Sequence, residues 1–339
     1  MLRLDEILDP DRLARLIEGG YIRRTAHPTQ DLFLYNYTAR AQYERRWTPE
    51  TEQCRGLIAT GDAQVVARPF PKFWNLEELD PARLPREPFH VYEKLDGSLG
   101  ILYWAGDEPH LATRGSFTSA QAVVGTRLLA RQPGLAARLD RRLTYLFEII
   151  YPENRIVVDY GAAERLVLLA VRETATGREI PLEEFRSLGA PLARRYDGIQ
   201  DLERLRERGT DNQEGFVVLF HSGLRVKVKL AEYVRLHRVV TGLTTLHIWE
   251  YLREGRALDE ILERVPDELY QWVRAEEERL RAAYRAIEAR ARAAFRDDFP
   301  TRREAALAFP QFAPRHIPLA MLDRRPSDEE IRAALPAFE

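Results

Sequence analysis

The chain has 339 residues, 45% of them hydrophobic, which is typical of a globular protein with room for two domains. Its formal net charge is −2, so a nucleic-acid partner would have to bind a local basic groove rather than a globally positive surface. No apolar run is long enough to span a bilayer, and the first residues lack the hydrophobic segment of a signal peptide. The single cysteine, Cys54, excludes an internal disulfide framework, and we expect a small buried residue in a cytoplasmic protein.

The N-terminal part predicts a short helix followed by an aromatic segment. Residues 5–19 have the pattern of an amphipathic helix, with Asp9 and Asp11 near its start. Residues 32–47 hold many large rings, which form either core or a stacking surface, with core favoured: Phe33, Tyr35, Tyr37, Tyr43 and Trp47.

The pattern from about residue 54 to residue 232 is rich in strands. Phe89–Leu95 and Leu99–Trp104 flank the turn tripeptide Asp96-Gly97-Ser98, which predicts a hairpin. Two more hairpins are predicted in the same way: Arg165–Glu173 with Arg178–Pro181, and Gly215–Phe220 with Leu224–Leu230. Helical patterns interrupt the strands at Ser119–Arg131, Leu182–Leu188 and Ile199–Arg208. This order favours an α+β fold built on antiparallel sheets over a doubly wound fold.

The last hundred residues predict an all-helical C-terminal domain. Helical patterns cover Leu243–Arg253, Leu258–Glu263, Asp267–Phe295, Thr301–Phe309 and Asp328–Leu335. The longest of them carries apolar residues at helical spacing and two i,i+4 pairs, Glu277–Arg281 and Glu288–Arg292. We therefore predict one domain over residues 1–240 and a second over residues 241–339.

The chain has only four lysines, Lys72, Lys94, Lys227 and Lys229, and its other 47 basic residues are arginine. Arginine cannot act as an amine nucleophile, whereas a desolvated lysine can lose its proton and attack. Lys94 lies in a K-x-D-G sequence, and Lys227 and Lys229 form a K-x-K. Together these motifs indicate a lysine that becomes covalently nucleotidylated. The alternative is an arginine-biased composition and chance.

Attack by a lysine on an α-phosphate requires a neutral amine, and both burial and nearby positive charge lower a lysine pKa. Side chains alternate along a strand, so Lys227 and Lys229 point to the same face and could bind the α-phosphate together. Glu148 and Glu214 each lie in an otherwise apolar strand, where an unpartnered carboxylate is costly. They are candidates to hold hydrated Mg²⁺ or Mn²⁺, and the alternative for each is a salt bridge at a strand edge.

Taken in order, these segments resemble the covalent nucleotidyltransferase superfamily of polynucleotide ligases and capping enzymes, and in particular the phage-type RNA ligase 1 family. The resemblance spans roughly residues 35–240, and its specificity comes from the order of the motifs. The matching segments are Gln53–Ile58, Arg68–Asn75, Lys94–Leu99, Thr113–Ser116, Phe147–Val157, Glu214–Val217 and Lys227–Lys229 followed by Tyr233–His237.

The resemblance implies an ATP-dependent RNA ligase. Lys94 would attack ATP and become lysyl-AMP with release of pyrophosphate, AMP would pass to an RNA 5′-phosphate, and a 3′-hydroxyl would displace it. Lys227 and Lys229 would bind the α-phosphate, and Arg55 and Lys72 would contact the ATP phosphates. Arg114 stands where the family commonly has lysine and keeps the charge for phosphate binding.

The resemblance also implies roles for the acidic residues. Glu148 would bind the ribose or a metal-bound water, and Glu214 would hold metal-bound water. Asp96 would help to position metal waters near Lys94, and Gly97 would permit the tight turn. Glu93 faces either the adenine or solvent.

The implied partners are ATP and RNA, either single-stranded or a broken structured RNA, bound by a monomer. A DNA ligase or capping enzyme would need a β-barrel where this chain turns helical. The chain has no G-x-x-x-x-G-K-[ST] motif, so end healing would fall to separate enzymes. In related ligases a helical tail helps to select the RNA, although packing against the ligase core explains this one equally well. The second functional class is a non-ligating RNA-binding or nucleotide-sensing protein with a ligase-like pocket.

Overall fold

The computed structural model describes residues 2–199, 201–210, 212–241, 244–254, 256, 258, 270–295 and 301–308. The chain divides into two compact units, Met1–Val240 and Thr241–Glu339. The first contains three sheets, and the described part of the second contains helices. The prediction of an α+β chain with antiparallel sheets is confirmed. Over the described residues, no helix combines the length and apolarity needed to cross a membrane.

The described residues form eight α-helices and fourteen strands. The helices are α1 (Pro10–Glu18), α2 (Ala39–Tyr43), α3 (Pro49–Gln53), α4 (Ala120–Ala130), α5 (Ala231–Thr241), α6 (Thr245–Arg253), α7 (Tyr270–Ala294) and α8 (Arg302–Ala308). The strands are β1 (Ile22–Ala26), β2 (Leu32–Tyr37), β3 (Arg55–Thr60), β4 (Val65–Ala67), β5 (Trp74–Asn75), β6 (Phe89–Lys94), β7 (Ser98–Ala105), β8 (Glu108–Ala112), β9 (Leu143–Ile150), β10 (Arg165–Glu173), β11 (Glu179–Ile180), β12 (Arg195–Tyr196), β13 (Gly215–Phe220) and β14 (Arg225–Lys229).

Local signals explain where the first helices begin. Helix α1 starts at Pro10 because Asp9 accepts a hydrogen bond from the Arg12 N–H and proline is suited to the first helical position. The helix is therefore shorter at its start than the pattern over residues 5–19 suggested. Ser119 caps α4 by accepting from the Ala122 N–H, which places this helix within the predicted range. The predicted helices at Leu182–Leu188 and within Ile199–Arg208 are 3₁₀-helical, the second over Glu203–Arg208.

The strands form three sheets, with strand orders β1-β2-β3-β4, β11-β10-β9-β7-β8 and β12-β6-β13-β14-β5. Each neighbouring pair is antiparallel except β14 with β5. The second sheet is buried on both faces. Phe147 and Ile149 of β9 pack toward α4, whereas Leu146 packs with Ile58 and Leu34 of the first sheet. Glu148 lies between Phe147 and Ile149, so it occupies a strand with an apolar neighbour on either side.

The prediction of a hairpin across Asp96-Gly97-Ser98 is wrong. Strand β6 pairs with β12 and β13, whereas β7 pairs with β8 and β9, so the tripeptide connects two different sheets. The segment is held by bonds to distant parts of the chain. The Asp96 carboxylate accepts from the Val157 and Val158 N–H groups, and a Cβ on Gly97 would lie 2.6 Å from the Ile149 carbonyl oxygen. The other two predicted hairpins are confirmed as β10–β11 and β13–β14.

Two helices account for most of the described part of the second unit. Thr244 caps α6, and the Thr245 hydroxyl donates to Glu276 of α7 at 3.0 Å. Both predicted i,i+4 pairs are present along α7, where Arg281 donates to Glu277 and Arg292 donates to Glu288. The predicted helix at Asp328–Leu335 lies outside the described residues, as does nearly all of Leu258–Glu263.

Gly215→Ala should destabilise the protein far more than Gly223→Ala. A Cβ on Gly215 would lie 2.1 Å from the Val228 carbonyl oxygen, whereas a Cβ on Gly223 would meet nothing within 4 Å. Both glycines have a positive φ, so only the backbone clash differs. We expect a loss above about 3 kcal/mol for Gly215→Ala and about 1–2 kcal/mol for Gly223→Ala, measured by urea unfolding. Equal losses would show that the β13–β14 backbone can move apart.

Candidate active site

Three neighbouring strands align the lysines that the sequence singled out. Antiparallel pairing places Gly215 of β13 opposite both Lys94, at the end of β6, and Lys229, at the end of β14. Lys227 pairs with Val217, the next position on the same face. Strand β13 therefore lies between β6, which carries Lys94, and β14, which carries Lys227 and Lys229. Lys94 and Lys229 thus lie on either side of Gly215.

Glu214 joins Lys94 to Lys229. Its Oε1 atom lies 2.8 Å from the Lys94 Nζ atom and 2.7 Å from the Lys229 Nζ atom. The side chains of Glu214 and Lys229 are buried, whereas Lys94 is 20% exposed. One carboxylate shared by two ammonium groups offsets the desolvation of all three charges. Lys94 is therefore held in a fixed position while part of its side chain remains accessible.

Glu148 lies beside this cluster on β9. Burial raises the pKa of its carboxyl to about 8; the charge of Lys94 opposes this shift, and the charges of Glu214 and Asp96 add to it. A carboxyl in such a place favours an incoming cation, so Glu148 and Glu214 suit a divalent ion. In the described part of the chain, no group of three or more His, Cys, Asp or Glu residues is arranged to hold a metal. An ion here would take most of its ligands from water and phosphate, as Mg²⁺ does.

The Asp96 carboxylate is engaged in protein hydrogen bonds on both oxygens. Oδ1 accepts from the Tyr233 hydroxyl at 2.7 Å, and Oδ2 accepts from the Val157 and Val158 N–H groups at 2.8 Å each. Asp96 thus fixes the segment after Lys94 to helix α5 and to the segment that follows β9. Sequence reasoning did not assign a role to Tyr233. Its position four residues after Lys229 is the signal that could have pointed to this residue. The ring of Tyr233 also lies 5.1 Å from the Lys229 Nζ atom.

A cavity of about 180 Å³ opens beside Lys94. Its walls come chiefly from the second and third sheets and from the segment between β4 and β5, and the first sheet contributes Arg55. Glu93 lines it, and burial raises the pKa of that carboxyl, against the lowering charges of Arg194 and Arg165. Five lining residues were predicted as site residues from the sequence: Arg55, Glu93, Lys94, Gly97 and Glu148. The lining residues that were not predicted are chiefly Phe70, Phe73, Tyr92, Val217 and Arg225.

The remaining predicted cations lie against aromatic rings. The Phe73 ring centroid is 5.3 Å from the Arg55 guanidinium and 5.1 Å from the Lys227 ammonium. The Tyr37 centroid is 5.0 Å from the Arg114 guanidinium, which also donates to the Tyr37 hydroxyl. These contacts bring Arg55 and Lys227 together through Phe73. In the segment over residues 32–47, Tyr35 and Tyr37 are buried, in agreement with the favoured prediction that its rings form core.

The three-sheet fold thus holds a cavity beside a lysine that a buried carboxylate fixes in place. A family model described as RNA ligase matches residues 53–233, which is more than half of the sequence. The chain belongs to this RNA ligase family, as the order of its motifs predicted.

Individual relatives agree with the family assignment. The chain is 35% identical over 213 residues to "Putative RNA ligase" of Thermovibrio ammonificans, an alignment that covers 58% of this chain and 56% of that protein. The chain thus spans little more than half of that relative's length. It is 29% identical over 298 residues to "RNA ligase 1" of Bacteriophage TS2126, covering 82% of this chain and 71% of the phage protein. A solved archaeal ATP-dependent RNA ligase aligns with a TM-score of 0.47 at 18% identity, covering 82% of this chain and 79% of the archaeal chain.

Glu148→Gln should stabilise the nucleotide-free protein at high pH and much less at low pH. The folded protein holds the Glu148 proton between the ordinary pKa of 4.5 and about 8, so its stability falls as the pH rises through that window. The neutral amide avoids this loss. We expect the variant to melt about 2–4 °C above the wild type at pH 8.5, the shift that roughly 1 kcal/mol produces, and near it at pH 5.5. The control is the exposed Glu153→Gln, and an unchanged difference between the two pH values would contradict the prediction.

Proposed function

We propose that this protein is an ATP-dependent RNA ligase that joins RNA 3′-hydroxyl and 5′-phosphate ends through a lysyl-AMP intermediate on Lys94. The observation that carries the proposal is the shared contact of Glu214 with Lys94 and Lys229 beside the cavity. A merely structural ion pair would not require two lysines on one carboxylate next to an accessible cavity. Membership of the RNA ligase family supports the same reading.

In the first step the Lys94 amine attacks the α-phosphorus of ATP. A P–N bond forms, the bond to the β-phosphate oxygen breaks, and pyrophosphate leaves. The lysine must first give up a proton, and the Glu214 carboxylate is within hydrogen-bond distance to accept it. Lys229 and Lys227 share the face that carries Lys94, so they offset the negative charge that develops on the α-phosphate.

A divalent cation would be held by Glu148 and Glu214, with Mg²⁺ or Mn²⁺ as the expected ions. When bound, the cation would neutralise phosphate charge. The cavity beside Lys94 would take the nucleoside, with Glu93 in its wall and Arg55 on the side toward the phosphates. The position of the Asp96 carboxylate favours a different role from the metal-water contact that the motif suggested, because hydrogen bonds from Tyr233, Val157 and Val158 already occupy it.

In the second step an oxygen of an RNA 5′-phosphate attacks the lysyl-AMP phosphorus. The P–N bond breaks, Lys94 is regenerated, and a 5′–5′ diphosphate forms. In the third step an RNA 3′-hydroxyl attacks the 5′-phosphorus and expels AMP, which leaves a phosphodiester bond. We propose residues 1–240 as the adenylyltransferase domain and residues 241–339 as a helical domain that helps to select the RNA.

The biological setting that we propose is RNA repair in the cytoplasm, carried out by a monomer that works with separate end-healing enzymes. The buried thiol of Cys54 is consistent with a reducing compartment. The competing function is a nucleotide-sensing or RNA-binding protein that does not ligate. The contact of both Lys94 and Lys229 with Glu214 favours the enzyme, because a sensor has no need of an attacking amine.

Lys94→Arg should abolish covalent labelling while leaving the fold intact. The guanidinium keeps the positive charge opposite Glu214 but cannot act as an amine nucleophile. The measurement is the intact mass after incubation with ATP and Mg²⁺: the wild type gains one AMP and loses it on adding pyrophosphate, and the variant gains none. Label on another residue of the variant would refute the assignment of Lys94. A wild type that gains no AMP would favour the sensing protein.

Lys227→Ala should slow adenylylation more than Arg114→Ala. Lys227 lies on the face that carries Lys94 and Lys229, whereas Arg114 is held at Tyr37. Removing one donor from a transferring phosphate costs on the order of 10²–10³-fold in rate, so we expect that loss for Lys227→Ala and a smaller one for Arg114→Ala. The rate is read from AMP incorporation at saturating ATP, with the exposed Arg142→Ala as control. The reverse order would place the K-x-K away from the α-phosphate.

A further inference from the structure

A groove of about 710 Å³ adjoins the cavity beside Lys94. Its lining comes chiefly from the β10–β11 hairpin of the second sheet, from the β13–β14 hairpin of the third sheet and from the segment between β4 and β5. It shares three residues with the cavity: Phe70, Phe73 and Arg225. We call it the hairpin groove, and its other polar residues include Arg172, Arg178, His90 and His221.

A row of cations leads from Lys94 to the hairpin groove. Arg225, Lys227 and Lys229 alternate along β14 and therefore share one face, with about 6.6 Å between successive positions. Lys229 lies at the end of β14 that is close to Lys94, whereas Arg225 lies at the other end and lines the groove. The Phe73 ring centroid is 5.9 Å from the Arg225 guanidinium and 5.1 Å from the Lys227 ammonium. The active site and the groove are thus connected by regularly spaced positive charges.

Positive charge also predominates within the hairpin groove. Its described lining holds two carboxylates, those of Glu52 and Glu179, against four cations: Lys72, Arg172, Arg178 and Arg225. Two exposed histidines, His90 and His221, lie at the same groove with their ring centroids 5.8 Å apart. Because the whole chain has a formal net charge of −2, a nucleic acid needs a local surface of this kind.

Arg172 fixes the shape of the groove and keeps its own charge. Its guanidinium donates to the carbonyl oxygens of Arg68 and Pro69, in the segment between β4 and β5, and to that of Gly177, in the β10–β11 turn. Burial lowers the pKa of Arg172 to about 10, against the charge of Glu179, so the guanidinium stays protonated at neutral pH. These hydrogen bonds connect two parts of the lining, and the groove is therefore formed before a ligand binds.

The direction of the cation row indicates which RNA end the groove would take. In the second step the 5′-phosphate oxygen must approach the lysyl-AMP phosphorus from the side opposite to the Lys94 nitrogen, because attacking and leaving atoms lie in line. The row runs away from Lys94 toward the groove, so a strand lying in the groove presents its 5′ end from that side. Pyrophosphate leaves from the same side in the first step, and a test has to separate these two ligands.

We propose that the hairpin groove binds the RNA strand that carries the 5′-phosphate, with Arg225 nearest to the active site and Arg178 and His221 farther along the strand. This inference rests on the proposed ligase function. The cations contact the phosphates of the strand, and such contacts position a nucleic acid without reading its bases. The groove therefore acts in the second step, accepts any sequence, and is not needed for the reaction with ATP.

The test follows the second step alone on the full-length protein. The protein is first converted to lysyl-AMP and freed of ATP, and a 5′-phosphorylated RNA is then added with Mg²⁺. Transfer of AMP to the RNA is measured against RNA and salt concentration, for a dinucleotide and for a longer oligonucleotide with the same 5′ sequence. The variants are Arg178→Ala and His221→Ala, and melting temperatures confirm that each of them folds.

Arg131→Ala is the matched control. The side chain of Arg131 is 59% exposed and that of Arg178 is 65% exposed, and each pairs with a glutamate. Arg131 lies at the end of α4 and does not line the groove. A general effect of removing a surface arginine would therefore appear in both variants.

We expect Arg178→Ala to raise the half-saturating concentration of the longer RNA about fivefold and to reduce the slope of its logarithmic salt dependence by about 0.7, the value for one phosphate contact on a single strand. His221→Ala should raise the same concentration by a smaller factor. Transfer to the dinucleotide, and AMP incorporation from ATP without RNA, should stay within about twofold of wild type in both variants. Arg131→Ala should change none of these quantities.

Unchanged use of the longer RNA in Arg178→Ala overturns the proposal, and so does an equal loss for both RNA lengths or an equal loss of AMP incorporation from ATP. A wild type that transfers AMP equally well to both lengths also overturns it, while the ligase function stands. A wild type that forms lysyl-AMP but transfers it to neither RNA rejects the ligase function itself, and the proposal with it.

Discussion

The site depends on one carboxylate that lies between two ammonium groups. Glu214 contacts Lys94 on β6 and Lys229 on β14, the two residues that pair with Gly215 of β13. Removing Glu214 would take away the carboxylate that both lysines share, which we expect to cost far more than the net contribution of the intact cluster. This contact therefore links the register of the three strands, the burial of the charges and the position of Lys94.

The positive charges of the site are held in two ways. The partner of Lys94 is the Glu214 carboxylate, which can accept a proton and can be displaced from the ammonium by a competing anion. Lys72 instead lies against the rings of Tyr37, Trp47 and Trp74, and the nearest acid whose pKa its charge affects is Glu52. The first environment suits the proposed nucleophile, which would have to lose a proton, and the second suits a group that keeps its charge. Lys94 and Lys72 are both mostly buried, so the difference between their environments comes from the neighbouring residues and not from burial alone.

Much of the site could be predicted from the sequence because its motifs are short and local. The alternation of Lys227 and Lys229, the acid before β13 and the apolar surroundings of Glu148 are all visible within a few residues. The connection through Asp96-Gly97-Ser98 was not predictable in this way, since a turn tripeptide does not say which strands its neighbours join. The contacts of Lys72 with Tyr37, Trp47 and Trp74 were also hidden, because these rings come from separate segments that only the tertiary fold brings together.

The scarcity of lysine has a practical consequence for chemical work on this protein. Apart from the α-amino group, the reactive amines of the chain are the four side chains of Lys72, Lys94, Lys227 and Lys229, and each of them is mostly buried in or next to the same cavity. An amine-selective reagent that modifies lysine side chains therefore modifies this region and not the outer surface. Attachment to a dye or a solid support through lysine would modify the proposed active site, so coupling chemistry directed at other groups is needed for any preparation that must remain functional.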